Sequence, residues 1–100
     1  MSRYRISKRA RAHLKEIWKY VARDSESAAD RVVGGLLDRF RFLAAHPLVG
    51  TLRNDLSHGL RLFSAGSYVI FFSPRPAGVE IVAVFHGSRD YDAAFSRDDA

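Results

Sequence analysis

The chain has 100 residues, of which 47% are hydrophobic, and contains no cysteine. That length fits one domain, residues 1–100, and the apolar share is too high for a disordered chain. Without thiols there are no disulfides, no thiolate metal sites and no cysteine nucleophile. The net charge of +5 is unevenly spread: residues 1–50 hold 11 Lys+Arg against 5 Asp+Glu (+6), and residues 51–100 hold 5 against 6 (−1). A basic half of this kind attracts acidic protein and nucleic acid alike. The opening Met1-Ser-Arg-Tyr-Arg-Ile-Ser-Lys-Arg9 lacks the apolar stretch of a secretory leader, and no apolar run is long enough to span a bilayer. A cytoplasmic protein without membrane contact is the expectation.

Residues 3–6 alternate polar and apolar, which predicts a short strand. Ser7 then stands where it can cap a helix of about 16 residues. Ala10, Leu14, Ile17, Trp18, Val21 and Ala22 form its apolar stripe, at helical spacing. Lys8, Arg11, Lys15, Lys19 and Arg23 form a second stripe of a single sign. That stripe reads either as a solvated face or as an electrostatic docking face. Asp24 to Ser27 breaks the pattern, and Ser27 with Asp30 suggests a capping-box start for a second helix. Ala28, Val32, Val33, Leu36, Leu37, Phe40, Leu43 and Ala44 carry its apolar face. Pro47 ends it, with His46 where a helix C-terminus favours positive charge. Gly34-Gly35 in mid-helix weakens propensity, which predicts either a closely approaching backbone within the hairpin or a partner surface.

Residues 46–59 read as a connecting loop, Leu60–Ser64 as a strand, and Ala65-Gly66 as a tight turn into a strand over Ser67–Ser73. Pro74 to Gly78 is predicted to be a longer hairpin loop. Val79–His86 is nearly all apolar, as expected of an inner strand covered on both faces. The tail from Arg89 to Ala100 is polar, with Tyr91 and Phe95 as isolated anchors. The expected class is α+β in the order β-α-α-β-β-β: an N-terminal strand, an antiparallel helical hairpin and a small, mostly antiparallel sheet.

Few residues are suited to chemistry. His13, His46, His58 and His86 lack the spacing of a metal motif, and no cofactor fingerprint is present. The acidic pairs Asp90/Asp92 and Asp98/Asp99 fall in the tail, where nothing is expected to hold them. Arg61, His86, Arg89, Asp90 and Tyr91 remain. Arg61 and the last strand's end are expected to converge on one sheet edge. Arg89 and Asp90 read as an internal ion pair or as an anchor for a carboxylate or phosphate. His86 reads as a general base for 2′-OH attack or as a plain strand-end polar group.

The ordered pieces Tyr4-Arg-Ile-Ser7, Ala12 to Tyr20, Ala28-Ala29, Phe42 to Gly50, Arg53 to Leu56, Gly59-Leu-Arg61, Tyr68 to Phe71 and Val84 to Asp90 span nearly the whole chain. Together they resemble the ParE branch of the ParE/RelE toxins of bacterial toxin–antitoxin modules. The resemblance implies a helical hairpin on a small sheet, growth inhibition and plasmid stabilisation as the setting, and a cognate antitoxin in a hetero-oligomer. It also implies that an acidic, partly disordered antitoxin segment wraps the toxin. This gives the basic stripe and the sheet face a use, with Phe63, Phe71 and Phe72 as candidate pockets.

Two activities compete within that superfamily. RelE-like members cleave mRNA on the ribosome with a cluster of Lys/Arg and a C-terminal Tyr. ParE-like members lack it and are linked to poisoning of DNA gyrase. In this chain Arg61 and Arg89 fall at arginine positions of the pattern, residues 51–60 add only Arg53, and the expected Tyr position is Phe95. Gyrase inhibition by binding is the favoured expectation, with no catalytic residue, no cofactor and no direct sequence-specific DNA binding by the toxin alone. A ribosome-dependent endonuclease is the alternative.

Overall fold

A computed structural model describes residues 3–97. In chain order the elements are β1 (Arg3–Ile6), α1 (Lys8–Ala22), α2 (Glu26–Ala45), β2 (Thr51–Leu52), β3 (Arg61–Ala65), β4 (Tyr68–Arg75), β5 (Gly78–His86) and α3 (Tyr91–Arg97). The five strands form one sheet in the order β1-β5-β4-β3-β2. Only β1 and β5 run parallel; every other pair is antiparallel. The expected α+β order holds, with two additions. A two-residue strand, β2, sits in what reads as a loop, and a short helix, α3, sits in what reads as a polar tail.

Each face of the sheet has its own core. On one, α1 and α2 pack on each other and on β5 and β1. Leu14, Leu36, Phe40 and Leu43 meet Ile70, Phe72, Ile81 and Val84 there. On the other, Ala94 and Phe95 of α3 lie with Leu60, Val69, Phe71, Ala83 and Phe85. Inner strand β5 is therefore covered on both sides, as its apolar run predicts.

The start of α1 is fixed by one hydroxyl used twice. Ser7 Oγ accepts from the Ala10 N–H at 3.0 Å and donates to the Val82 carbonyl at 3.0 Å. Val82 is the extra residue of a bulge: Ile81 registers with Phe72 and Ala83 with Phe71. The partner strand β1 has ended by that point, so α1 serves this edge of β5. His13, buried, accepts from the Val84 N–H through Nδ1 at 3.1 Å. The α1–α2 hairpin is tied by Trp18 Nε1 donating to Asp30 at 2.8 Å.

Three local readings are corrected. Helix α2 begins two residues earlier than Ser27 suggests: Ser25 is the cap and accepts from the Ala28 N–H. Strand β4 runs on through Pro74 and Arg75, so the hairpin loop is Pro76-Ala77 alone. Gly78, at φ +151°, lets β1 come close, since a Cβ there would overlap the Arg3 carbonyl oxygen. Finally, no backbone approaches Gly34 or Gly35, and the space beside both is open. The tight-packing reason for these glycines is therefore wrong.

Candidate functional site

A cleft of about 400 Å³ lies between α1 and the far end of the β4–β5 ladder. Helix α1 supplies His13, Glu16, Ile17 and Tyr20; the sheet supplies Tyr68, Val84, Phe85 and His86; the following turn adds Ser88 and Arg89. Gly66, at φ +61°, and Ser67 make the two-residue turn that pairs Ala65 with Tyr68, and the β4–β5 ladder then places His86 opposite Tyr68. Their rings meet edge to face at 5.3 Å. Tyr68 is half-buried, and its phenol is shifted upward, first by burial and then by Tyr20. It stays a neutral donor at physiological pH. Ser88 holds the His86 ring from one side: its N–H donates to Nδ1 at 3.1 Å, and its hydroxyl lies 2.7 Å from the same atom. Arg89 lies over the Phe85 ring, 5.3 Å from its centre.

The structure brings His86 and Arg89 together but leaves Arg61 elsewhere. Arg61 registers with Phe72 and then Ile81, whereas His86 registers with Tyr68 and Ala65. The separation is about 13 Å along the strands and two strands across. Convergence on one edge does not occur. Arg61 instead clamps the turn after α2, donating to the carbonyls of Leu48 (2.7 Å), Val49 (2.9 Å) and Gly50 (3.4 Å). Arg53 is likewise engaged. It grips Asp92 through two nitrogens, at 2.9 and 2.7 Å, and Asp55 through two, at 3.0 and 2.9 Å. Both carboxylates raise its pKa, and the Arg53 hydrogen bonds hold the Asp55 carboxyl below its usual range.

The other candidates divide between core and surface. Phe72 and Phe71 are fully buried and offer no pocket to a partner. Phe63 is half-buried against Phe42, with ring centres 5.7 Å apart, beside the exposed Leu48 and Leu52. Asp90 does not pair with Arg89; it caps α3, accepting from the Ala93 N–H at 3.3 Å. Tyr91 packs on Phe71 in the second core. Asp92, expected to be loose, is fixed by Arg53, while Asp98 and Asp99 lie outside the described residues. Sequence reasoning missed Tyr20 and Tyr68 as cleft residues. The Tyr68–His86 pairing depends on the β4–β5 register, which the bulge at Val82 shifts by one residue, and Tyr20 carries no comparable signal.

The α1 stripe is placed as its spacing predicts. Lys8, Arg11, Lys15, Lys19 and Arg23 are all exposed. Among the described residues their side chains make no ion pair or hydrogen bond, and only Arg23 has a partner, the Tyr20 ring at 5.8 Å. The first turn of α1 holds no acidic residue.

This arrangement has known relatives. The family model described as the ParE toxin of type II toxin–antitoxin system, parDE, matches residues 4–91. Toxin ParE1 of Mycobacterium tuberculosis is 33% identical over 93 residues, covering 91% of this chain and 95% of that protein. Toxin ParE1 of Caulobacter vibrioides is 37% identical over 90 residues, covering 88% and 92%. A chain from a solved chromosomal ParDE toxin–antitoxin system of P. aeruginosa superposes with a TM-score of 0.71 at 18% identity, over 86% of this chain and 96% of that one. The last likeness speaks for the fold; the first three speak for kinship. The chain belongs to the ParE toxin family, as the toxin component of a type II toxin–antitoxin module, and antitoxin partnership comes with that membership.

Proposed function

We propose that this toxin arrests growth by binding DNA gyrase, without cutting RNA, and that its cognate antitoxin neutralises it by covering the same surface. The observation that carries this reading is the dispersal of the arginines. Breaking a phosphodiester by 2′-OH attack calls for a base and several cations focused on one phosphate. Arg61 is occupied by three carbonyls and Arg53 by two carboxylates, both away from the cleft. The cleft itself offers one guanidinium, from Arg89, and two imidazoles, of which His13 is buried and accepts the Val84 N–H. Phe95, at the position of the endonuclease tyrosine, is a buried ring that neither gives nor takes a proton. Kinship with ParE toxins adds the gyrase target. The cleft then serves as a docking feature: aromatic walls from Tyr20 and Tyr68, with His86 and Arg89 at the rim.

The test is induction of the toxin without its antitoxin, with plasmid topology and transcript integrity followed in the same cells. Purified toxin in a gyrase supercoiling assay runs alongside. Loss of supercoiling with intact transcripts is expected. Codon-specific cleavage of ribosome-bound transcripts with unchanged topology would sink the proposal.

A further inference from the structure

The geometry points to the α1 cation row as a binding face for the phosphate backbone of duplex nucleic acid, read without regard to sequence. This goes beyond the proposed gyrase target and holds whichever enzyme the toxin poisons. Lys8, Arg11, Lys15, Lys19 and Arg23 follow one another at steps of three and four residues. They form a line of about 22 Å. A duplex carries one charge per about 1.7 Å of axis, both strands counted, so a stretch of this length carries about 13 phosphates, of which one face meets a part.

Two observations argue that the row is kept for a ligand. First, the row carries a cost to its own helix that Lys19, in the last turn, offsets only in part. Arg11/Lys15, Lys15/Lys19 and Lys19/Arg23 are like-charge pairs at i,i+4, and Lys8 and Arg11 put positive charge at the positive end of the helix dipole. Second, the side chains are unspent. All five are exposed, and no described carboxylate neutralises any of them. Arg41, Arg53 and Arg75, on other elements, are by contrast each paired with a carboxylate.

An acidic peptide fits this face less well than phosphate does. A segment that folds on binding needs apolar pockets to offset the ordering of its chain. Among the described residues the exposed large apolar side chains are Phe42, Leu48 and Leu52, beyond α2, and Tyr20, a single ring beside Arg23 at one end of the row. A line of flexible cations without pockets suits a uniform polyanion.

The probe is a fluorescein-labelled 20-base-pair duplex of mixed sequence, titrated with purified toxin by anisotropy between 50 and 200 mM salt. Four or five phosphate contacts predict a log K against log[salt] slope of about −3.6 to −4.5. The K15Q/K19Q double variant is expected to reduce that slope by about 1.8 units and to weaken binding equally on duplexes of different sequence. R75Q, on the opposite hairpin, should leave the slope unchanged. Both variants relieve or spare charge repulsion, so circular dichroism should report folded protein. An unchanged slope in K15Q/K19Q overturns the proposal. So does a variant that binds the duplex normally but loses affinity for purified antitoxin, which would assign the row to acidic protein.

Discussion

The cations of segment 53–61 and those of α1 are the same chemical groups in opposite situations. Arg53 and Arg61 each hold distant parts of the backbone together, and each is largely screened from solvent by the groups it holds. The five of the α1 row face water, and only Arg23 touches another side chain, the Tyr20 ring. A charge count treats the two sets alike. Following each group to its partner separates those the fold consumes from those it leaves available. The same division runs through the aromatics, where Phe72 is consumed and Phe63 and Tyr20 are available.

Substitutions can break or sharpen that division. Phe72→Ala tests it hardest: truncating a fully buried ring should cost about 3–5 kcal/mol in urea denaturation. A Phe72→Ala protein that folds normally but loses its antitoxin would return Phe72 to the interface. Arg61→Ala comes next, at about 2 kcal/mol, because three carbonyls lose a charged donor. Arg61→Lys should recover little of it, since one ammonium does not span the three acceptors. An Arg53–Asp92 double-mutant cycle should return a coupling of about 1 kcal/mol, modest because Asp92 is half exposed. Lys15→Gln with Lys19→Gln belongs at the other end: stability within about 0.5 kcal/mol of the parent, if anything higher.

The smallest effect is in pH. Asp55 has a folded pKa below its unfolded value, held there by Arg53. Its contribution is therefore fully present above about pH 4 and is lost as pH falls through the depressed folded value. Melting curves of Asp55→Asn and the parent should separate above about pH 4 and converge at the acid end. Curves that diverge instead on the acid side would mean that Arg53 does not hold Asp55 in solution.

Periodicity made the two long helices and the three long strands legible, because each buries one face with a regular repeat. What it missed depends on distant residues. The seven-residue α3 buries only Ala94 and Phe95, too few positions for a visible repeat. Its support comes from Phe71 beneath it and from Arg9 of α1, whose guanidinium reaches the Phe95 carbonyl at 2.6 Å. Likewise β2 is two residues long and depends on a turn that Arg61 clamps from another strand. Ser27 lost the capping role to Ser25 although both hydroxyls sit 3.1 Å apart. The Ser-x-x-Asp spacing picks Ser27, with Asp30, yet the oxygen that accepts the free Ala28 N–H is that of Ser25. Of the site residues, His86 and Arg89 were legible as strand-end polar groups. The exclusion of Arg61 was not, because it turns on strand register.

The parallel pairing of β1 with β5 joins Tyr4 to Val79 across most of the chain. During synthesis the first strand emerges early and must wait, unpaired, until residues 78–86 have cleared the exit tunnel. Such long-range closure is slow relative to local helix formation. The helical hairpin is complete long before its sheet, and until β5 arrives the Val82 and Val84 backbone groups that Ser7 and His13 serve do not exist. The toxin fold therefore closes only once β5 has been made, after both long helices and the four other strands of the sheet.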